Sequence, residues 1–309
     1  MDSFLGLFDA SLLNSAFRFV TPILLAALGG ALCQRVGVFN IALEGLMLTG
    51  AFAAVAGSYL FTNAGLGVLT AVLASALLAA VFALFTVTLG SDEIVAGIAI
   101  NLLAAGLTVF LLRTLFGVKG AFQDPRIVGL AKLDLPAIEK IPVLGPLLSG
   151  HSWIVYLSLL LVVVIQFLLF RHRLGLRMRG VGENPEAALS LGVRVQALQF
   201  GTLVVSGALC GLAGAQLSLG NVTLFVENMS AGRGWMAVVA VMLGRAHPLG
   251  VLGASFLFGF TDSLGFRLQG LRLPSQFTEM LPYLVTLLSL FLFAAYRQRT
   301  STFHQGDSP

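Results

Sequence analysis

The chain has no nucleotide-binding loop of its own. No Walker A pattern occurs and the dipeptide Gly-Lys appears nowhere in its 309 residues, which excludes ATP binding through a P-loop. HExxH and GxSxG are equally absent. The four histidines, His151, His172, His247 and His304, fall in loops or at the ends of apolar runs without metal-ligand spacing, so neither a metal site nor a catalytic constellation is indicated. Cysteine is limited to Cys33 and Cys210, both inside or at the edge of apolar runs. They read as small packing residues and supply no disulfide framework. Charge is scarce as well: 10% of residues are charged against 57% hydrophobic, and the mean hydropathy is +0.94. That balance excludes a large soluble domain and places the chain among polytopic membrane proteins. The longest polar-containing stretch, residues 117–150, is too short and too rich in Pro, Gly and Leu to hold a soluble catalytic domain. Asp2 and Asp9 stand where a secretory signal would carry basic residues, so a cleaved leader is not expected.

What the chain does have is apolar length. A spanning helix needs about 20 predominantly apolar residues, and nine runs are candidates: 16–32, 41–61, 66–89, 94–116, 153–170, 195–219, 235–243, 250–266 and 277–296. The seventh is too short to cross as a plain helix. Either residues 229–234 lengthen it or it is a broken, re-entrant segment, which the bilayer tolerates only where it lines protein or a water-filled cavity. The expected fold is all-α: one polytopic integral membrane domain over residues 1–309, with about nine transmembrane helices and one short or broken segment near 229–247. Arg171, Arg173, Arg177, Arg179 and Arg194 make 171–194 the densest basic loop. The positive-inside rule puts it in the cytoplasm, with the N-terminus and loop 117–150 outside. The formal charge of +4 is spent beside membrane segments, so lipid and not nucleic acid is the partner it implies.

Within 171–194 the local chemistry predicts a short helix: Asn184 as N-cap, Pro185 at the first helical position, Glu186 in the first turn and Gly192 just past the end. Roughly seven residues at about 1.5 Å each give a helix near 10 Å long. A helix that short is marginal in water and needs a surface to lie on. Ala187 and Ala188 are small enough to let that surface approach closely.

Polar groups inside apolar runs are few, and each has two readings. If the second helix begins at Asn40, Asn40 and Glu44 share one face, flanked by Gly37 and Gly45, as at the start of a discontinuous helix lining a substrate path. Alternatively Glu44 pairs with a neighbour such as Arg35 and holds helices together. Glu93, Gly97 and Asn101 also share a face, with a notch at Gly97 that suits a solute or another helix. Glu93 fits helix capping equally well, and Asn101 either reads a neutral solute or joins two helices. Asn221, Glu227 and Asn228 form a polar outer loop around Phe225, leading into Gly232-Arg233-Gly234-Trp235. It suits solute or protein reception, or an ordinary solvated connection. Gly207, Gly211 and Gly214, and Gly250 with Gly253, provide small faces for close helix packing. Arg233 and Asp262 are possible partners that spacing does not bring together.

At four stretches the chain resembles the membrane subunits of ATP-binding-cassette importers, in the group serving branched-chain amino acids, simple sugars and nucleosides. They are VGVFNIALEGLMLTGAF (36–52), SDEIVAGIAINLLAAGLT (91–108), RHRLGLRMRGVGENPEAALSLGV (171–193) and GRGWMAVVAVMLGRAHPLGVLGASFLFGFTDSLGFRLQ (232–269), spread through the chain in the family's order. The wording NIALEG and DEIVAGIAINLLA looks most like the nucleoside-type permeases. The resemblance implies a permease domain over 1–309 that is not itself an enzyme. Its coupling helix would span Gly182, Glu183, Asn184, Pro185, Glu186, Ala187, Ala188, Leu189 and Gly192, seated in a groove of a separate ATPase subunit. ATP would be used there, with no cofactor on this chain. It further implies a second, non-identical permease, a substrate-binding lipoprotein and a bacterial inner-membrane location. Asn40, Glu44 and Asn101 are the residues expected to serve the path of a nucleoside, a neutral heterocyclic polyol. A branched-chain amino acid or sugar permease, or an ATP-independent channel or secondary transporter, are the alternatives. Loop 117–150 matches no family feature.

Overall fold

The computed structural model describes residues 10–133 and 149–269, with isolated helical positions between 280 and 291. Ten helices follow one another in this part: α1 (Ala10–Arg35), α2 (Leu43–Phe61), α3 (Ala64–Ala83), α4 (Glu93–Phe116), α5 (Trp153–Arg171), α6 (Arg173–Glu183), α7 (Pro185–Ser190), α8 (Val195–Ala215), α9 (Arg233–Leu243) and α10 (Pro248–Gln269). α3 continues as a π-helical turn over Leu84–Thr88, and α8 as one over Gln216–Val222. Among the described residues, seven helices are long and apolar enough to cross a bilayer, and α9 is a shorter apolar helix. The chain is thus a multi-pass membrane protein. Eight of the nine expected runs are accounted for; the ninth, 277–296, lies largely outside the described residues.

The central element is α1, the most enclosed span, which packs against α8, α9 and α10. α4 is the least enclosed and turns an apolar face outward, as a lipid-facing helix must. The helix ends follow local chemistry. Asn63 caps α3 through Gly65 and Leu66 N–H, and Asp92 caps α4 through Ile94 and Val95 N–H. Gly117 closes α4 in the left-handed conformation at φ 69°. The tightest packing is at the glycines of α8. A Cβ on Gly207 would lie 2.3 Å from that of Ala79 on α3, and one on Gly214 would lie 2.3 Å from the Met47 carbonyl of α2, so both helices approach α8 backbone to backbone. Gly250 likewise abuts Gly244. Gly253 does not follow this pattern: open space lies where its side chain would be, because it sits on the outward face of α10.

At one end of the bundle, the loop after α4 is strapped to the segment after α8. Strand β1 (Ala121–Phe122) pairs antiparallel with β4 (Phe225–Val226), and β2 (Lys132–Leu133) with β3 (His151–Ser152). Phe225 is fully buried and meets Phe52 edge-on at 5.3 Å, and Phe122 stacks on Phe116 at 4.1 Å. At the opposite end, the arginine-rich segment α6–α7 lies beside the end of α1. Arg35 donates from Nε to the Ala246 carbonyl at 2.9 Å and from Nη2 to that of Arg245 at 3.1 Å.

Candidate functional site

Two helices begin inside the bundle instead of at its ends, and neither has a capping side chain of its own. The residue preceding α2 is Ala42 and the one preceding α9 is Gly232; neither offers an acceptor to the first turn. Free N–H groups at buried helix starts must be satisfied from elsewhere. For α2 the partner is Asn101 on α4: its Oδ1 accepts from Gly45 N–H at 2.7 Å while its Nδ2 donates to the Ile41 carbonyl at 3.0 Å. For α9 it is Glu44, in the first turn of α2. Its Oε1 accepts from Gly232 N–H at 2.8 Å and its Oε2 from Gly234 N–H at 2.6 Å. One carboxylate therefore faces the positive ends of two helix dipoles. Gly234 is required by this closeness, since a Cβ there would come within 2.4 Å of the Glu44 backbone.

α2 starts at Leu43, three residues later than a helix begun at Asn40, so Asn40 and Glu44 do not share a helix face. Asn40 is buried in the preceding turn. Its Oδ1 accepts from Ala42 N–H at 3.0 Å and its Nδ2 donates to Ser206 Oγ on α8 at 3.0 Å. Glu44 is committed to α9 and Arg35 to the turn before α10, so the suggested Glu44–Arg35 pair is not formed. Glu93 does not cap its own helix. Asp92 does that, and Glu93 Oε2 accepts from Phe39 N–H at 2.6 Å. The notch at Gly97 is filled by Ile41 and Ala42. Residues 37–45 are consequently held by polar groups from α4, α8 and their own turn.

The short α9 has a different first half to its span. After the π-helical turn, residues 223–232 run through β4 and a series of tight turns, with left-handed backbone at Thr223, Asn228, Ala231 and Gly232. This is a broken span. Arg233 at its centre forms an ion pair with Asp262 of α10, Nη2 to Oδ2 at 2.9 Å and Nε to Oδ2 at 3.1 Å, with 19% and 17% of the two side chains exposed. In the strapped end above it, Glu227 binds Gly120 N–H at 3.0 Å and lies 3.7 Å from Arg113, while Asn221 accepts from Gln216 at 3.1 Å. Nearby on the same exposed loop, the Arg126 N–H and guanidinium hold the Asp124 carboxyl below its ordinary range. Arg233 and Asp262, possible partners by their sequence, are joined by the fold, whereas the pairing of Ser206 with Asn40 was not foreseen.

The arginine-rich segment forms as its residues predict. Asn184 Oδ1 accepts from Ala187 N–H at 3.0 Å, Pro185 opens α7, and Gly192 takes φ 80° just past its end. Gly182 packs against the Arg35 carbonyl and Gly37, joining this segment to the loop before α2. Glu183, Glu186 and Ala187 face outward with Leu189, which is 62% exposed. Ala188 departs from the expected pair of small contact residues: only 6% exposed, it faces the protein, because six helical residues on a surface turn one position in four inward. An open groove of about 670 Å³ runs beside α7, lined by Pro185, Glu186, Leu189, Arg194 and Val195. Among the described residues, no three His, Cys, Asp or Glu side chains come together as a metal site would require.

Comparison with known proteins adds sequence and fold relationships. A family model described as the permease component of branched-chain amino acid transport systems matches residues 12–290. The guanosine ABC transporter permease NupQ of Bacillus subtilis is 35% identical over 88% of this chain and 88% of its own length. The nucleoside ABC transporter permease NupC of Lactococcus lactis is 35% identical over 88% of this chain and 89% of its own. A Haloferax volcanii permease provisionally named for glucose is 36% identical over 86% of this chain and 80% of its own. In fold, the chain resembles an inward-facing metal-chelate type ABC transporter, with a TM-score of 0.51 at 16% identity over 89% of this chain and 84% of that one.

Proposed function

The chain belongs to the permease-component family of the branched-chain amino acid transport systems, and on that premise we propose that it carries a nucleoside across the membrane in an importer powered by separate ATPase subunits. As a permease subunit it is not an enzyme. In this reading ATP is bound and hydrolysed by the partner and no cofactor sits on this chain. A second, non-identical permease completes the path, and a substrate-binding lipoprotein delivers the solute. The host membrane is the bacterial inner membrane, with the arginine-rich end in the cytoplasm and the strapped end outside.

The observation that carries the coupling part is the capped α7, whose outward face is Glu186, Ala187 and Leu189 beside an open groove. A helix of six residues transmits force only if its ends are fixed, and Asn184 and Gly192 fix them. Docking of Gly182–Gly192 on the ATPase would push through Gly182 on Gly37, at the start of the loop that Asn40, Glu93 and Asn101 hold. Asn40, Glu44 and Asn101 then serve the path by shaping its wall. Apart from the Asn40 amide on Ser206, their polar atoms bind backbone, so the two interior helix starts keep one geometry while the solute passes.

The nucleoside part is supported by the relatives named for guanosine and nucleosides, and by a bundle with few fixed charges to neutralise. A sugar is the second reading, favoured by the similar Haloferax permease. The test is ATP-driven uptake by the complex in proteoliposomes, with competition among uridine, guanosine, ribose, glucose and leucine. Competition by the nucleosides alone is expected. Competition by glucose or leucine alone would remove the nucleoside reading, and uptake that persists without the ATPase would remove the importer reading.

A further inference from the structure

α9 covers only half of a membrane. Its 11 residues rise about 16 Å, against a hydrocarbon core of about 30 Å, and its far end lies at the turn that Arg35 holds. Arg233 therefore stands near the midplane, and residues 228–232 lead down to it from the strapped end through tight turns instead of a helix. One side of this broken span is uncovered by the rest of the chain: Val226, Asn228 and Ala231 are exposed, and so is Trp235, at 43%. Turns and Glu44 satisfy most N–H groups of this segment, but those of Asn228 and Ser230 have no partner among the described residues and would lie unsatisfied in hydrocarbon, so this side is unsuited to lipid. The Arg233–Asp262 pair, partly open beside it, is equally unsuited to an acyl environment.

We propose that the uncovered side of residues 226–235 is the wall of the path that touches the solute, with the Trp235 indole as a stacking surface for a planar heterocycle and the Asn228 amide as its polar contact. This rests on the nucleoside reading above. An indole offers a flat apolar face to any base. Asn228 is held in the left-handed conformation at φ 58°, which turns it out of the regular hydrogen-bonding pattern, and its exposed amide has no partner among the described residues. Arg233 takes no direct part: its charge is neutralised by Asp262, which leaves the wall without a net fixed charge to trap a neutral solute.

The test uses the assembled transporter in vesicles, with Cys33→Ala and Cys210→Ala as background and Asn228→Cys or Ala231→Cys added singly. Each is treated with a charged, water-soluble methanethiosulfonate, and Leu102→Cys on the outward face of α4 serves as the lipid-facing control. Positions 228 and 231 are expected to react, position 102 not, and guanosine or uridine to slow the reaction at least about tenfold. Reaction protected by glucose or leucine instead would uphold the wall and overturn the nucleoside reading. Position 231 reacting only with a lipid-soluble reagent, only in the isolated chain, or without protection by any of these solutes would overturn the wall. As an independent reading, Trp235→Leu should raise the KM for uptake about tenfold, and Trp235→Phe should recover most of it. Equal KM values in all three proteins would overturn the stacking role.

Discussion

Glu44→Ala removes the acceptor of two backbone N–H groups at the start of α9, those of Gly232 and Gly234, bound at 2.8 and 2.6 Å. Hydrogen bonds to a charged group contribute about 1.5–3 kcal/mol each, so the two together set a ceiling of roughly 3–6 kcal/mol. Glu44 is half-buried, and water reaching the vacated position would satisfy part of the loss. A value of about 2–4 kcal/mol follows, which at about 1.4 kcal/mol per tenfold is roughly a 30- to 700-fold increase in local opening. Hydrogen exchange measured by mass spectrometry on the assembled complex reads this directly, in a peptide covering Gly232 to Trp235, with a peptide from the middle of α3 as the unaffected reference. Glu44→Gln keeps one acceptor oxygen without the charge and should fall between the two proteins. Exchange at Gly232 and Gly234 within about threefold of the parent, in an intact complex, would refute the assignment of Glu44 as the cap of α9.

Asn101→Leu should release the start of α2 by removing both of its bonds to Gly45 and Ile41, lowering uptake and speeding exchange at Gly45 while the complex still assembles; failure to assemble would mean that Asn101 serves helix association instead. Ala187→Trp should uncouple ATP hydrolysis from uptake in a correctly inserted protein, whereas Ala188→Trp, placed against the protein, should lower the yield of folded complex; the two are separated by ATPase activity and by detergent-extracted yield. Arg233→Met leaves the Asp262 carboxylate unpaired and should lower the thermal midpoint of the complex by an amount equivalent to about 2–4 kcal/mol, most of it recovered in Arg233→Met/Asp262→Leu, since removing both partners leaves no uncompensated charge.

Much of the fold was legible because a bilayer imposes a length on every crossing helix. The runs 153–170 and 195–219 correspond to α5 and to α8 with its π-helical turn, since nothing but apolar length was needed to place them. α7 was legible down to its ends, because Asn184, Pro185 and Gly192 act on their own backbone within a few residues. The start of α2 was not. Asn40 has the chemistry of an N-cap, but its acceptor serves Ala42 and its amide Ser206, and the helix waits until Leu43, where Asn101 of another helix satisfies Gly45. The same holds for Glu44, whose partners are about 190 residues away in the chain. Patterns of three and four residues carry no information about such contacts.

By itself, then, the sequence determined the membrane class, the order of the apolar runs through residue 269, the capped helix of the arginine-rich loop and the shortness of α9. All of these follow from local composition, periodicity and capping, which act before any helix meets another. Only the tertiary structure decided which polar groups meet. Asn101 and Glu44 became caps for helices other than their own, Arg233 and Asp262 became partners, and one side of the span 226–235 was left uncovered. The reason is physical: within a membrane bundle every buried N–H and charge must find a partner, and which partner it finds depends on the close approach of α2, α3 and α8 at their glycines.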